Sequence, residues 1–214
     1  MSDDTVDTNP SPEIEIIFRK SKRLVLRPLD ESDAPLLAKW MNDPEVSVML
    51  RAYLPVMKPE EVVWVQSLAK RSATNIVVMM VVDGVPIGTM GLHDIDHRHG
   101  TATTGAVIGE KAYQGKGYGV EAKMLLLEYA FNTLNLRKIC SNVHEFNEFS
   151  EKYSLKCGYK KEGRRKDQHY SQGLYWDEIQ LAVFRKDFMP LWDKFAEEHK
   201  GAILTKYFKK KPKK

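Results

Sequence analysis

Gln114-Gly115-Lys116-Gly117-Tyr118-Gly119 decides the fold of this chain. It follows an extended stretch, about Thr101 to Ile108, and precedes Ala122, Leu125, Leu126, Tyr129, Ala130 and Leu134, which recur at helical spacing. A strand that passes through glycines into a helix turns consecutive backbone N–H groups outward at the positive end of the helix dipole, which makes a seat for a pyrophosphate. Glycine is needed because a Cβ would hold the phosphate away, and Lys116 can add a screened charge. Two other phosphate loops do not fit. A Walker loop closes on Gly-Lys-Ser/Thr, whereas this one closes on Gly119-Val120. A dinucleotide fold needs an acid about 20 residues further on, where this chain reads Arg137-Lys138-Ile139-Cys140. A plain glycine-rich turn is the local alternative.

Upstream, Ile76 to Val82 and Val85 to Leu92 are apolar runs joined by Asp83-Gly84, a strong hairpin signal. Thr101 to Ile108 returns after the polar turn around His97 to Gly100, which completes an antiparallel meander. Earlier, Arg23 to Pro28 alternates as a half-buried strand. Asp30 to Asp33 supplies capping chemistry for a helix carrying Leu36, Leu37 and Trp40, and Asn42-Asp43-Pro44 ends it. A second helix is expected from about Pro59 to Lys70, with Val62, Val63, Val65 and Leu68 facing the core. Downstream come a strand, Lys138 to Val143, and a short helix, Asn147 to about Lys156, stopped at Gly158. Two strands, Tyr159 to Asp167 and Leu174 to Arg185, and a last helix, about Phe188 to His199, follow. The reading is α+β, with about seven strands and no internal repeat.

The chain has 214 residues with 33 Lys+Arg against 29 Asp+Glu, an ordinary globular composition of one-domain size. Six of the lysines, Lys206, Lys209, Lys210, Lys211, Lys213 and Lys214, lie in the last nine residues. Asp3, Asp4 and Asp7 stand in an N-terminus that has no basic residue. The body between is near neutral, so the basic balance belongs to the tail. We expect a disordered acidic lead-in over residues 1–12, a single domain over 13–200 and a lysine-rich tail over 201–214. That tail could dock on RNA or an acidic partner, or stay a solvated end. Two cysteines, Cys140 and Cys157, make no disulfide framework, and no apolar run is long enough to span a membrane. With no signal peptide either, a cytoplasmic protein is expected, with no membrane partner, as monomer or homodimer.

The order of elements and the glycine loop together resemble the GNAT acyltransferase superfamily. Its coenzyme A motif, Gln/Arg-x-x-Gly-x-Gly/Ala, is met by Gln114 to Gly119. A second signature, Asn-x-x-Ser/Ala with a short helix and Gly-Phe/Tyr, is met by Asn147, Ser150, Gly158 and Tyr159. Glu162-Gly163, Gly173-x-x-x-Asp177, Arg23-Leu24-x-Leu26-Arg27-Pro28 and Trp40-x-Asn42-Asp43-Pro44 are similar to the branch that holds ribosomal-protein N-terminal acetyltransferases and spermidine acetyltransferases. The resemblance covers about Arg23 to Arg185. It implies a mixed, mostly antiparallel sheet flanked by helices, with a V-shaped splay between the fourth and fifth predicted strands. It implies acetyl-CoA as co-substrate, its pantetheine on the backbone of Val107, Ile108 and Gly109. Its pyrophosphate would sit on Gln114, Gly115, Lys116, Gly117, Tyr118 and Gly119, with Asn147 on a pantetheine amide. The implied activity is acetyl transfer to a primary amine, foremost a protein N-terminus. The alternatives are a polyamine, amino sugar or antibiotic acceptor, or a coenzyme A-binding module without activity.

Such a transfer needs a neutral amine, a site for the oxyanion and a donor for the leaving thiolate. Relatives often place a tyrosine seven residues after the family asparagine. Here that position is Ser154, and Tyr153 comes one residue early. Ser150 is the preferred donor and Ser154 the second, with helix capping the other reading of Ser150. Relatives often carry a glutamate base near position 104, where this chain has Thr104. His169 is the candidate base, since an imidazole titrates at about 6.5; a surface histidine in a polar loop is the alternative. His93, Asp94, Asp96, His97 and His99 are close in sequence, but they straddle a strand end and a turn. No metal is expected.

Overall fold

The computed structural model describes residues 16–50 and 52–203. The strands are β1 (Arg19–Lys20), β2 (Val25–Pro28), β3 (Ile76–Val82), β4 (Val85–Asp96), β5 (Thr101–Ile108), β6 (Lys138–His144), β7 (Lys160–Ser171) and β8 (Leu174–Phe184). The helices are α1 (Ala34–Met41), α2 (Pro44–Ser47), α3 (Lys58–Lys70), α4 (Tyr118–Asn132), α5 (Glu148–Lys156) and α6 (Arg185–Glu198). They surround one eight-stranded sheet in the order β1-β2-β3-β4-β5-β6-β8-β7. The eighth strand is the two-residue β1, too short to leave a periodic signal in sequence. The fourth and fifth predicted strands are therefore β5 and β6. The expected lead-in over 1–12 and the lysines from Lys206 to Lys214 lie outside the described residues.

Alternation along β3 builds the layers. Val78, Met80 and Val82 face one side, where α4 and α6 bring Leu125, Leu126, Phe131, Phe188 and Trp192. Met79 and Val81 face the other, against Leu37 and Trp40 of α1 and Val65 of α3. Helix α4 is buried nearly all round, its charged Glu121, Lys123 and Glu128 included. Helix α3 departs from expectation: Val63 is 64% exposed, while Glu61 is buried. Its start fixes that rotation, since Glu60 accepts the Met57 N–H at 2.8 Å and closes the first turn. The Asp83-Gly84 turn has positive φ at both residues, as a tight hairpin requires.

Every strand pair is antiparallel except β5–β6. That parallel pair runs only from Thr101↔Lys138 to Thr103↔Cys140, and then the strands part. Strand β6 stays with β8 along its whole length, His144↔Glu178 included, so the sheet opens into two halves beyond Thr103. Thr104 stands at the fork. Its Oγ1 donates to the Cys140 carbonyl at 3.2 Å and is 2.9 Å from the buried Tyr159 hydroxyl. A side chain thus takes a carbonyl that a longer ladder would give to a backbone N–H.

Candidate active site

The open edge of β5 has a fixed polarity. Gly109 N–H donates to the Ile87 carbonyl at 2.9 Å, and the register Thr89↔Val107 continues that ladder. Antiparallel alternation therefore commits the amides of Val107 and Gly109 to β4 and turns those of Ala106 and Ile108 toward the opening. Of the backbone groups expected along the pantetheine, Ile108 faces the cleft, Ala106 joins it, and Val107 and Gly109 do not. Gly109 has a different task. A Cβ there would lie 2.1–2.3 Å from the Trp40 ring, so only glycine lets α1 close over the end of β5. The indole Nε1 then donates to Glu110 Oε1 at 2.9 Å.

The loop beyond folds as its glycines demand. Gly115 and Gly117 sit at φ +73° and +89°, and no atom lies within 4 Å of a Cβ placed on Gly115. Gly117 begins α4 with no side-chain cap, which leaves the first amides of that helix for a ligand. Gln114 is exposed, and its Nε2 donates to the Ile108 carbonyl at 2.8 Å, so it closes the loop. Lys116 is exposed. Arg23 braces the loop from behind: it donates to the Lys116 carbonyl at 3.4 Å, lies 4.8 Å over the Tyr118 ring and pairs with buried Glu121 at 2.7 Å. Ser21 also hydrogen-bonds Glu121. The Arg23–Glu121 pair was not legible in sequence, because nothing marks two residues 98 positions apart as neighbours.

Asn147 caps α5. Its Oδ1 accepts the Ser150 N–H at 3.0 Å, and its Nδ2 donates to the Met49 carbonyl at 3.3 Å. The cap thus uses the Ser150 amide and not its hydroxyl, and Ser150 is half-buried on the first turn. Ser154 is placed differently from the expectation. It is wholly buried, and its Oγ accepts from Lys123 Nζ at 3.0 Å, so it belongs to the interior rather than to an open donor position. One turn of helix separates it from Ser150, and packing of α5 on α4 takes that face inside. Tyr153 lies where a Cβ on Gly119 would touch it at 3.8 Å, beside Ile108, along the cleft wall.

His169 lies on β7 and lines a cavity of about 310 Å³ with Ser47, Val48, Leu50, His144 and Phe146. Its Nε2 is 3.0 Å from Oε2 of buried Glu178, whose other oxygen accepts from Arg165 at 3.1 Å. The His144 ring meets it edge-on at 4.4 Å and stacks on Phe146 at 5.2 Å. His144 ends β6 after it has left β5, and the Asn147 bond to Met49 ties the same loop that roofs the cavity. Histidine 144 and Glu178 carry no motif; only their cross-strand register would have paired them.

Carboxylates around this region are already engaged. A charged groove of about 370 Å³ beside α5 contains Glu145, Glu148 and Glu151. They pair with Arg164 at 2.5 Å, Lys152 at 2.6 Å and Lys161 at 2.7 Å. Asp43 and Glu45 share Lys111 at 3.1 and 3.0 Å. The Asp167 N–H and then the Arg164 guanidinium hold Asp177 below the usual carboxylate range. In the His93–His99 stretch, His97 donates to the Ala73 carbonyl at 3.0 Å and Asp96 accepts the His99 N–H at 2.8 Å. Among the described residues no three His, Cys, Asp or Glu side chains converge as metal ligands, and no helix is long and apolar enough to cross a membrane.

Comparison with known proteins shows the family. The family model for the acetyltransferase (GNAT) domain matches residues 23–160. An uncharacterized N-acetyltransferase, p20, of Bacillus licheniformis is 28% identical over 173 residues, 78% of this chain and 96% of its own. A putative ribosomal N-acetyltransferase, YdaF, of Bacillus subtilis is 25% identical, over 78% of this chain and 94% of its own. The crystal structure of spermidine N-acetyltransferase from Vibrio cholerae in complex with CoA and spermine superposes with a TM-score of 0.71 at 21% identity, over 78% of this chain and 98% of that one. Its level of identity speaks to the fold, including the mixed sheet with one parallel pair. The family model spans well over half of the sequence, and the chain belongs to the GNAT N-acetyltransferases, which move an acetyl group from acetyl-CoA to an amine.

Proposed function

We propose that this enzyme acetylates the α-amine of a polypeptide N-terminus. The observation that carries the reading is the character of the cavity at His169. It is lined by His144, His169, Phe146, Val48 and Leu50 with Tyr53, Tyr170, Gln168 and Ser171, no carboxylate is among its lining residues, and Glu178 behind His169 is held by Arg165 and His169. A polyamine carries several ammonium groups and calls for unpaired carboxylates. Glu145 beyond it is paired with Arg164, as Asp43 and Glu45 in the early loop are with Lys111. An α-amine titrates at about 7.7–8.0, so a weak base suffices to free it, whereas a lysine or polyamine near 10.4 needs more help.

The open β5 edge and the uncapped glycine turn fit acetyl-CoA. Ala106 and Ile108 would pair with its pantetheine amides, and the amides of Gly115 to Gly119 would hold its diphosphate, with Lys116 adding charge. Bound there, it supplies an activated acetyl carbon. With Nε2–H given to Glu178, the other ring nitrogen of His169 is the one that accepts the amine's proton. Ser150, its hydroxyl not spent on the cap, is the donor nearest the start of α5 and serves the leaving sulfur. Positioning supplies much of the remaining rate.

The test is coenzyme A release from acetyl-CoA with N-terminal peptides, spermidine and amino sugars offered side by side. Peptides are expected to win in kcat/KM by about a hundredfold, about 2.7 kcal/mol of transition-state discrimination. A preference for spermidine would overturn the acceptor, and coenzyme A binding without any acetylated product would overturn the activity.

A further inference from the structure

Lys123 is among the largest fully buried side chains of the protein. It lies on α4 one turn beyond Gly119, on the face that packs against Tyr153 and Ser154 of α5 and against Tyr159. Its Nζ donates to Ser154 Oγ at 3.0 Å and lies 4.1 Å over the Tyr153 ring and 4.8 Å over the Tyr159 ring. Its polar neighbours are thus one hydroxyl and two ring faces. Burying a lone charge costs several kcal/mol, and methionine in its place would commonly be neutral or stabilising. A buried lysine in such a setting is a candidate for a role that its side chain performs in the site.

The surroundings say where that charge acts. Tyr159 reaches Thr104 at the fork of the sheet. Tyr153 packs beside Gly119 and Ile108, the two positions that bound the cofactor channel. We infer that Lys123 is a positioning residue for acetyl transfer: its ammonium fixes Ser154 and the Tyr153 ring, and sets a positive potential at the floor of the β5–β6 opening, where the thioester sulfur departs. As the amine nitrogen bonds to the acetyl carbon and the C–S bond breaks, the bonding pair stays on sulfur. The amine's proton goes to His169, and the sulfur takes a proton from Ser150, which regains one from solvent. A fixed cation nearby stabilises the charge that develops on sulfur, and it does so without reorganisation. The inference rests on the proposed seat of acetyl-CoA in this opening.

Lys123→Met removes charge and hydrogen bond, and Lys123→Gln keeps a donor for Ser154 without the charge. Three readouts separate the outcomes: thermal stability of the free protein, the kcat–KM split for acetyl-CoA, and ultraviolet titration of the thiol of bound coenzyme A. We expect both variants to melt at or above the wild-type temperature and to keep KM within about twofold. kcat should fall at least about tenfold, and the bound thiol should titrate about one unit higher than on the wild type. If Lys123→Gln restores kcat and the thiol titration, the hydrogen bond is what matters and the charge role is overturned. If both variants match the wild type in kcat and thiol titration, the whole inference is overturned. Should either variant fail to fold, the lysine is structural and the inference also falls. Wild type that binds no coenzyme A would instead refute the placement of the cofactor.

Discussion

Gly117 offers the sharpest test of the diphosphate seat. It starts α4 at φ +89°, and a Cβ there would meet nothing nearer than Arg23 Nη2, at 3.6 Å. Gly117→Ala is therefore sterically free and carries only the left-handed backbone penalty, about 1–2 kcal/mol. In a domain of this size that lowers Tm by about 2–8 °C. Gly117→Glu carries the same strain and adds a carboxylate on the surface proposed for the diphosphate. Two unit charges about 5 Å apart repel by about 1–3 kcal/mol between the limits of water and protein surface. Facing two phosphates, and competing for Arg23, the carboxylate should weaken coenzyme A binding by about 3 kcal/mol beyond the alanine variant, over a hundredfold in Kd. Calorimetric titration of both variants with coenzyme A reads the difference directly, alongside a thermal melt that checks their shared strain. The gap should narrow in high salt, because the repulsion is screened. Equal affinity in the two variants would refute the seat, whatever their melting temperatures.

Two further perturbations follow from the same geometry. Asn147→Ala removes both the cap on the Ser150 N–H and the tie to the Met49 carbonyl; a loss of about 1 kcal/mol and a Tm lower by about 2–4 °C are expected, with a raised KM for the acceptor, and an unchanged melt would contradict the cap. Burial pushes the Cys157 thiol from 9.0 up to about 11 and the Tyr159 phenol well above 10.0. The unfolded chain gives up those protons first, so the folded state binds more of them and stability falls as pH rises. The contribution is complete below about pH 9 and fades toward pH 11 and beyond, measurable as a falling urea midpoint; Cys157 should also resist thiol reagents at about pH 8 until the protein unfolds.

Local chemistry was legible in the sequence and tertiary juxtaposition was not. Asp83-Gly84 and Gln114 to Gly119 could be read because each fixes backbone angles within a few residues. The Thr101–Ile108 strand between them followed from its neighbours. Helix α3 could not be oriented, since valines occupy both of its sides, and Glu61 went inside while Val63 stayed out. Ser154 was assigned from its spacing to Asn147, but spacing along α5 says nothing about which face α4 covers. Lys123 sits within Ala122-Lys123-Met124-Leu125, where a lysine can snorkel to water or be enclosed, and only the packed tyrosines decide. His144 and Glu178 meet because β6 and β8 pair in one register and His169 follows from β7.

The fork at Thr104 links these pieces. A parallel pair that continued past Cys140 would satisfy the amides of Ala106 and Ile108 within the protein and leave no slot for a ligand's amides. The chain stops the ladder by offering the Cys140 carbonyl a hydroxyl instead, and Tyr159 supports that hydroxyl from the residue before β7. Strand β6 then diverges with β8, which carries Glu178 and, through it, His169 to the far wall. The separation that opens the β5 edge is thus the same displacement that carries His144, edge-on to His169, away from β5. Thr104→Val keeps the shape of the fork and removes its hydroxyl, leaving the Tyr159 phenol and the Cys140 carbonyl without that partner. A cost of about 1–3 kcal/mol in stability is expected, together with weaker coenzyme A binding as the two halves of the sheet lose their fixed spacing. A variant that lost stability but bound coenzyme A as the wild type does would show that the fork supports the fold alone.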